Sequence, residues 1–357
     1  MKLKFRKLFI KLPSKILFII IFFYRKFCSL NDLIKSHKKL KYLSREALRI
    51  KVGLASRINS NILVIYDNNI SPPAHGDFMN MYMLARFFSF KGYSTSFIII
   101  KQENNFWDNF SENARNKFKD FQNKCFSSFG SLNISIYNYS WNDFINRQCL
   151  NNDEIIIFEE NVFNRYPIVK DAFNLLNVLT QKENHNNLNN WRLKPFPTYK
   201  CEFFPNLNYL TWNIRYSNVL PELNNTEYQI IEIYNFLSKK FPKLKILILS
   251  DIIGTSFIKK IAKEYNLELY YSKDIIGNDS YIDDAKLMLS SEFYFQLSGG
   301  GMSTIAFFSN RPYLIYQKPS YEKESFRLGL NWALKNQKFI LLNHWSPIEI
   351  KNILYSK

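Results

Sequence analysis

Blocks of apolar and polar positions alternate along most of this chain. Short apolar runs of strand length precede segments in which apolar residues recur every three or four positions, a spacing typical of helices. The pattern predicts strands at residues 61–66, 94–100, 155–158, 209–215, 245–250, 267–271, 293–297, 313–316 and 339–342. It predicts helices at residues 78–91, 226–240, 255–265, 282–289, 305–309 and 347–355. This alternation predicts an α/β fold with doubly wound parallel sheets.

The length of 357 residues allows two domains. Residues 183–208 are polar and rich in Asn, and they contain three prolines, which is typical of a linker. We therefore expect an N-terminal α/β domain at residues 59–200 and a C-terminal α/β domain at residues 201–357. Both should be Rossmann-like, with a cleft between them, because ligands bind at the carboxyl ends of parallel strands.

The net charge of +18 is concentrated at one end of the chain. Residues 1–60 contain sixteen Lys or Arg residues but only Asp32 and Glu46 as acids, so about +14 lies there. The remaining chain is close to neutral for its size. A nucleic-acid partner is therefore not expected, since the basic character belongs to a leader rather than to the folded body.

This leader, residues 1–58, contains an apolar run at residues 16–24 between Lys15 and Arg25. As a helix the run would extend about 14 Å, too short to cross a bilayer. No signal-peptide cleavage site follows it. We expect a basic amphipathic helix that adsorbs to the anionic inner face of the cell membrane and makes the protein cytoplasmic and peripheral. The alternative is a solvated basic helix packed on the protein.

Several chemistries lack their sequence signals. The four cysteines are far apart, which predicts neither a zinc site nor a disulfide framework. The chain has no P-loop, no G-x-G-x-x-G after its first strand and no G-x-S-x-G. It also has no Asp-x-Asp, a pattern common in metal-dependent nucleotide-sugar enzymes. We therefore expect no metal and no cofactor.

The most informative run begins at the predicted strand of residues 293–297, which leads directly into three glycines. Glycines permit a close backbone approach to a ligand, and free N–H groups at a helix start attract negative charge. The run predicts an anion site; the alternative is a tight turn. Its candidate binding residues are Gly299, Gly300, Gly301, Ser303 and Thr304.

Arg215 follows another predicted strand, and its guanidinium suits bidentate contact with a phosphate. Neutralising a leaving nucleoside diphosphate would make it a catalytic residue. Asn213 beside it is a second binding candidate. Glu322, beyond the strand at residues 313–316, could accept hydrogen bonds from ribose hydroxyls. The alternatives are a structural arginine and a solvated helix start.

His75 and Asp77 lie between the first predicted strand and the helix behind it. Either could act as the general base that takes a proton from a hydroxyl nucleophile. Asp77 also fits the helix N-cap, and His75 could be a turn residue bonded to backbone.

Residues 283–312 resemble the nucleotide-sugar site of two-domain GT-B glycosyltransferases, which have an acidic residue, a small apolar helix, a strand, a Gly/Ser-rich turn, a short helix and then a proline. The loop at Gly76 and Asp77 resembles the opening of heptosyltransferase-type members. Residues 212–215 are similar to the strand end of fucosyltransferase-type members. The histidine that follows the glycine turn in the first group is replaced by Thr304 and Ile305.

The resemblance implies transfer of a sugar from a nucleotide-sugar co-substrate to a glycan or lipid-linked acceptor in cell-surface polysaccharide biosynthesis. Two alternatives stay open at this point. One is a nucleotide-sugar epimerase on the same scaffold, and the other is a membrane-docked scaffold without catalysis.

Overall fold

The structure, a computed structural model, describes ten strands and seven helices. The backbone alone is described for residues 154–158, 301, 317 and 341. The described residues are 61–68, 71, 73–102, 111–140, 143–144, 154–158, 172, 176, 179–180, 191–194, 208–216, 224–297, 301–317 and 332–341.

The chain forms two compact units, which are described separately. Unit 1 extends to Trp191 and takes in residues 321–332, and unit 2 begins at Arg192. The boundary expected at residue 200 and the cleft between domains stay predictions. The basic leader of residues 1–58 lies outside the described residues.

Unit 1 contains a parallel sheet in the order β3-β2-β1-β4. Strand β1 pairs with β2 on one side and with β4 on the other, so the strand order reverses direction at β1. Its elements are β1 (Asn61–Asp67), α1 (His75–Phe90), β2 (Thr95–Ile100), α2 (Glu112–Phe129), β3 (Ser135–Tyr139) and β4 (Glu154–Phe158).

Helix α1 is buried on every side from Gly76 to Phe88. Its one arginine in that stretch, Arg86, is 3 % exposed, and its guanidinium donates to main-chain oxygens. Nη1 donates to the carbonyls of Phe129, at 2.9 Å, and Gly130, and Nε donates to that of Trp191 at 3.1 Å. The cation thus binds carbonyls at the C-terminal end of α2, where the helix dipole favours positive charge.

Unit 2 contains a six-stranded parallel sheet in the order β10-β9-β8-β5-β6-β7. Its strands are β5 (Tyr209–Asn213), β6 (Lys245–Leu249), β7 (Tyr270–Tyr271), β8 (Phe293–Leu297), β9 (Tyr313–Gln317) and β10 (Gln337–Leu341). Its helices are α3 (Glu227–Lys240), α4 (Ile252–Glu264), α5 (Ser272–Ile276), α6 (Tyr281–Ser290) and α7 (Gly301–Phe307). The predicted α/β class with parallel sheets is confirmed.

The core of unit 2 lies between the sheet and helices α3 and α4. Apolar side chains from strands β5, β6, β8 and β9 meet Ile230, Ile233 and Leu237 of α3 and Ile258 and Ile261 of α4. Because every strand in this cluster is parallel, all their carboxyl ends reach the same edge of the sheet. That edge carries the loops relevant to function.

Several element boundaries differ from the prediction, among them the start of α1, at His75 rather than residue 78, and the starts of β7, α4 and α7. Strand β7 contains only Tyr270–Tyr271, because the chain enters α5 at Ser272. Helix α4 begins three residues earlier than predicted, since Asp251 accepts a hydrogen bond from Gly254 N at 2.7 Å as the N-cap. Helix α7 begins at Gly301 rather than at residue 305.

Two elements of unit 1, α2 and β3, were not predicted. The exposed and half-exposed positions of β3 do not alternate as in an amphipathic strand. The helix predicted at residues 347–355 lies outside the described residues.

Candidate functional site

The strand order of unit 2 reverses at β5, which has β6 and β7 on one side and β8, β9 and β10 on the other. In open parallel sheets this topological switch point opens a crevice at the carboxyl ends of the two central strands, where ligands bind. Here those strands are β5 and β8, with Asn213 opposite Gln296 in the ladder. The chain leaves β5 through Ile214 and Arg215. Sequence and topology thus bring Arg215 close to the carboxyl end of β8, at Leu297.

Arg215 is partly exposed, and its main chain is fixed on both sides. Its N–H donates to Asn225 Oδ1 at 3.0 Å, and its carbonyl accepts from Asn225 N at 3.0 Å. The preceding residue, Ile214, donates from N to Leu249 O at 3.0 Å and accepts from Ser250 Oγ at 2.9 Å. The base of the Arg215 side chain therefore starts from a well-defined position at the switch point.

Asn213 is oriented toward the neighbouring strand. Its Nδ2 donates to Leu249 O at 3.1 Å, on the side of β6 and away from β8. The same carbonyl accepts from Ile214 N at 3.0 Å, so this bond lies within the last pair of the β5–β6 ladder. The amide nitrogen therefore has a structural role, and substrate binding by Asn213 stays a prediction.

The glycine segment is only partly described. Gly299, Gly300 and Glu322 lie outside the described residues, and Gly301 is the first residue of α7. Ser303 and Thr304 are within that helix rather than in a turn before it. Ser303 is buried, at 6 % exposure, and Thr304 is partly exposed. Of the two hydroxyls, that of Thr304 is the more accessible for a ligand.

His75 and Asp77 lie at the corresponding reversal of strand order in unit 1, where α1 follows β1. The His75 ring is edge-on to Phe118, with centroids 5.6 Å apart, and to Phe121, at 4.9 Å. Burial, with Lys117 as a second cause, lowers the pKa of His75 from about 6.5 to about 4. At neutral pH its imidazole is therefore uncharged and a weak base.

Asp77 is 5 % exposed and belongs to the first turn of α1. The predicted N-cap role is wrong, because the helix begins at His75 and the capping position is Ala74. A carboxylate in the first turn is still favoured by the helix dipole. The choice of general base between Asp77 and His75 stays a prediction.

A buried cluster of charges lies after β7. Lys273 Nζ is 2.7 Å from Asp284 Oδ2 and 3.1 Å from Asp279 Oδ1, and the Lys273 side chain is 8 % exposed. Burial alone would lower the pKa of Lys273, but attraction to the two carboxylates outweighs it and raises that pKa. Burial raises the pKa of Asp284, against the opposing effect of Lys273. These contacts tie α5 to the start of α6.

Asn225 is the residue at the switch point that the sequence analysis missed. It is 2 % exposed and precedes Thr226, the N-cap of α3. The available signal was the capping box: Thr226 Oγ1 accepts from Gln229 N at 3.3 Å, and Gln229 Oε1 accepts from Thr226 N at 2.9 Å. In a chain so rich in asparagine, the residue before such a box does not stand out.

Within the described part of the chain, no three His, Cys, Asp or Glu side chains are grouped so as to hold a metal ion. Across the same residues, none of the helices combines the length and apolar character needed to cross a membrane. Cys125, in α2, is buried and is not part of a disulfide bond.

No protein-family model matches the chain, and no curated protein matches it. Solved structures similar to it include a glycosyl transferase of family 9 from Veillonella parvula, with 11 % identity, a TM-score of 0.47, and coverage of 79 % of this chain and 85 % of the other. E. coli ADP-heptose LPS heptosyltransferase II has 12 % identity and a TM-score of 0.46, and the match covers 82 % of this chain and 98 % of the other. A putative UDP-N-acetylglucosamine 2-epimerase from Listeria monocytogenes has 9 % identity and a TM-score of 0.38, and the match covers 83 % of this chain and 86 % of the other. Two of these similar proteins are glycosyltransferases, the class that the sequence resembles.

Proposed function

We propose that this protein is a glycosyltransferase that moves a sugar from a nucleotide-sugar donor to a glycan or lipid-linked acceptor in cell-surface polysaccharide biosynthesis. The observation that carries the proposal is Arg215, a partly exposed arginine held at the switch point of the six-stranded sheet of unit 2. A strand order of this kind is typical of nucleotide-binding sheets, and their ligands lie at this position.

The donor diphosphate is the part of the substrate that Arg215 would recognise. A guanidinium presents parallel N–H donors that match two phosphate oxygens. During sugar transfer negative charge accumulates on the leaving nucleoside diphosphate, so a fixed cation there stabilises the transition state more than the ground state. The residues proposed to add donors around it are Asn213, Gly299, Gly300, Gly301, Ser303 and Thr304, with Glu322 proposed for the ribose. This arrangement requires no metal ion.

Asp77 is the proposed general base for the acceptor hydroxyl. The lowered pKa of His75 and its packing on Phe118 and Phe121 support a structural role for that imidazole instead. Removing a proton from the acceptor oxygen as it attacks the sugar would give direct displacement with inversion at the anomeric carbon.

The basic leader of residues 1–58 is proposed to hold the enzyme on the anionic inner face of the cell membrane. Its support is the concentration of sixteen of the Lys and Arg residues in residues 1–60. Clustered cations bind anionic lipid surfaces additively, and a short apolar run adds interfacial burial.

Thermal unfolding of the full-length chain with UDP, GDP, ADP or CDP tests the proposal. A nucleoside diphosphate at 100 times its Kd should stabilise the folded state by about 2.7 kcal/mol and raise Tm. The Arg215→Ala variant is the matched control and should show a much smaller rise. The absence of any rise with all four would contradict nucleotide-sugar binding. Conversion of a nucleotide sugar without an acceptor would indicate an epimerase instead.

A further inference from the structure

The side chain of Asn225 joins the ends of the two central strands of unit 2. Its Oδ1 accepts from the N–H of Arg215 at 3.0 Å, just beyond β5. Its Nδ2 donates to the carbonyl of Leu297 at 3.3 Å, the last residue of β8. The main-chain N–H of Asn225 also donates to Arg215 O at 3.0 Å. One amide thereby connects Arg215 to Leu297, at the end of β8.

We propose that Asn225 is a positioning residue for diphosphate binding, which acts by holding Arg215 against the carboxyl end of β8 at Leu297. The inference rests on the proposed function and deepens it. Asn225 is not proposed to touch the substrate, since it is 2 % exposed and each end of its amide is engaged with the protein main chain.

The amide group suits this position because it carries a donor and an acceptor on one rigid plane. The N–H of Arg215 needs an acceptor, and the carbonyl of Leu297 needs a donor. Strands β5 and β8 are parallel neighbours whose ladder ends at Asn213 and Gln296, and among the described residues no further ladder pair joins the two strands. Asn225 supplies a link there that the ladder does not.

The Asn225 amide should affect diphosphate binding through the position of Arg215 rather than through the free energy of unfolding. A bidentate arginine contact depends on the angle and distance of the guanidinium, and a displacement of about 1 Å at such a contact can cost up to roughly 10²-fold in rate. Residues that hold a binding group from behind keep that displacement small. Loss of the Asn225 amide should therefore weaken diphosphate binding beyond what loss of stability explains.

The test compares Asn225→Ala with Thr226→Ala in the full-length chain. Thr226→Ala removes the neighbouring N-cap of α3, but only Asn225→Ala removes the side-chain bonds to Arg215 and Leu297. Kd for the tightest-binding of UDP, GDP, ADP and CDP is measured by calorimetry well below each Tm. We expect at least a tenfold weaker Kd for Asn225→Ala and a change below about threefold for Thr226→Ala, because loss of the helix cap acts on folding alone.

A double-mutant cycle with Arg215→Ala separates positioning from general damage. If Asn225 acts through Arg215, adding Asn225→Ala to Arg215→Ala should change Kd by less than about twofold. An undiminished tenfold effect in that background would overturn the inference. Should Asn225→Ala fail to fold, Asn225→Asp replaces it: the aspartate retains the acceptor for Arg215 N–H but loses the donor to Leu297 O, and it too should bind the diphosphate more weakly.

The two proposals fail in different ways. If the wild-type chain binds none of the four nucleoside diphosphates, the proposed function is wrong, and the role of Asn225 is wrong with it. If the wild type binds one of them and Asn225→Ala or Asn225→Asp binds it equally well, the positioning role alone is wrong.

Discussion

Gly254, in the first turn of α4, lies directly against the side chain of Ser250 at the end of β6. A Cβ added to Gly254 would overlap Ser250 Oγ and would lie 3.3 Å from Ser250 Cβ and 3.2 Å from Asp251 Oδ1. That same Oγ donates to Ile214 O at 2.9 Å. The absence of a side chain at residue 254 therefore leaves room for a bond that fixes the residue before Arg215.

Gly254→Ala should consequently destabilise unit 2. The new methyl displaces the Ser250 hydroxyl and breaks its bond to Ile214, at a cost of about 1–3 kcal/mol in the free energy of unfolding. Urea unfolding measures it. Ser250→Ala is the companion variant: in that background the same glycine substitution should cost less than half as much. Equal costs in both backgrounds would show that the overlap with Ser250 is not the cause.

Arg215→Ala should lower turnover by roughly 10²-fold or more, the range for removal of one transition-state donor. Arg215→Lys should recover only part of the loss, because an ammonium keeps the charge but not the two parallel donors. Nucleoside diphosphate release from the preferred nucleotide sugar, in the presence of acceptor, is the measurement. Lys259→Ala removes an exposed cation paired with Asp274 in the same unit and serves as the charge control. Near-normal turnover of Arg215→Ala would remove Arg215 from the mechanism.

Asp77→Asn should lower the rate of sugar transfer by roughly 10²–10⁴-fold, the usual contribution of a general base. Its Kd for the nucleoside diphosphate should stay close to that of the wild type, since the proposed contacts of the diphosphate are in unit 2. His75→Gln should have a much smaller effect on transfer. The reverse ranking of these two variants would make His75 the base.

The lowered pKa of His75 predicts a pH dependence of stability. In the unfolded chain His75 takes up a proton near pH 6.5, but in the folded protein only near pH 4. Between these values the unfolded state binds more protons, so the free energy of unfolding should fall as pH falls from about 6.5 to about 4, by up to about 3 kcal/mol in total. Urea unfolding across this range tests it. In His75→Gln the slope should be visibly shallower; an unchanged slope would exclude His75 as its source.

Lys273→Met should destabilise unit 2 by about 3 kcal/mol, because it removes the cation that pairs with the buried carboxylate of Asp284 and the partly exposed one of Asp279. The deficit should shrink as pH is lowered, since protonation then neutralises Asp284, whose pKa burial raises. Lys286→Met is the matched control: its pair with Asp283, at 3.7 Å, involves side chains about a fifth exposed and should contribute less than about 1 kcal/mol. Similar losses in both variants would mean that burial of the cluster does not determine its stability.

The sequence suffices to predict the parts of the fold that depend on local pattern. The run Ile246–Leu249 is short and apolar, contains two β-branched isoleucines, and forms the buried part of strand β6. Because consecutive strands alternate with helices, the carboxyl-end position of Arg215 also follows from sequence. Helix α2 was not predicted because most of its surface is polar. Of its eighteen residues, the buried ones are Phe118, Phe121, Gln122, Cys125 and Phe129.

The environment of each candidate residue could not be predicted in the same way. His75 is surrounded by rings of α2, which lies more than forty residues further along the chain. Asn225 obtains its role from a bond to Leu297, a distant residue that only the sheet topology brings near. Chemical type and position relative to a strand are local properties, whereas burial and hydrogen-bond partners are properties of the assembled sheet.

The central position of β5 in its sheet has a consequence for folding during translation. One edge of this strand can pair with β6 as soon as that strand leaves the ribosome, but the other edge must wait for β8, which is made much later. Until then the nascent chain exposes an unpaired apolar strand edge, a template for association with other chains. We therefore expect the chain to depend on chaperones during translation until about residue 297 has been made. The reason is that β8, a late strand, pairs with β5, the first strand of unit 2.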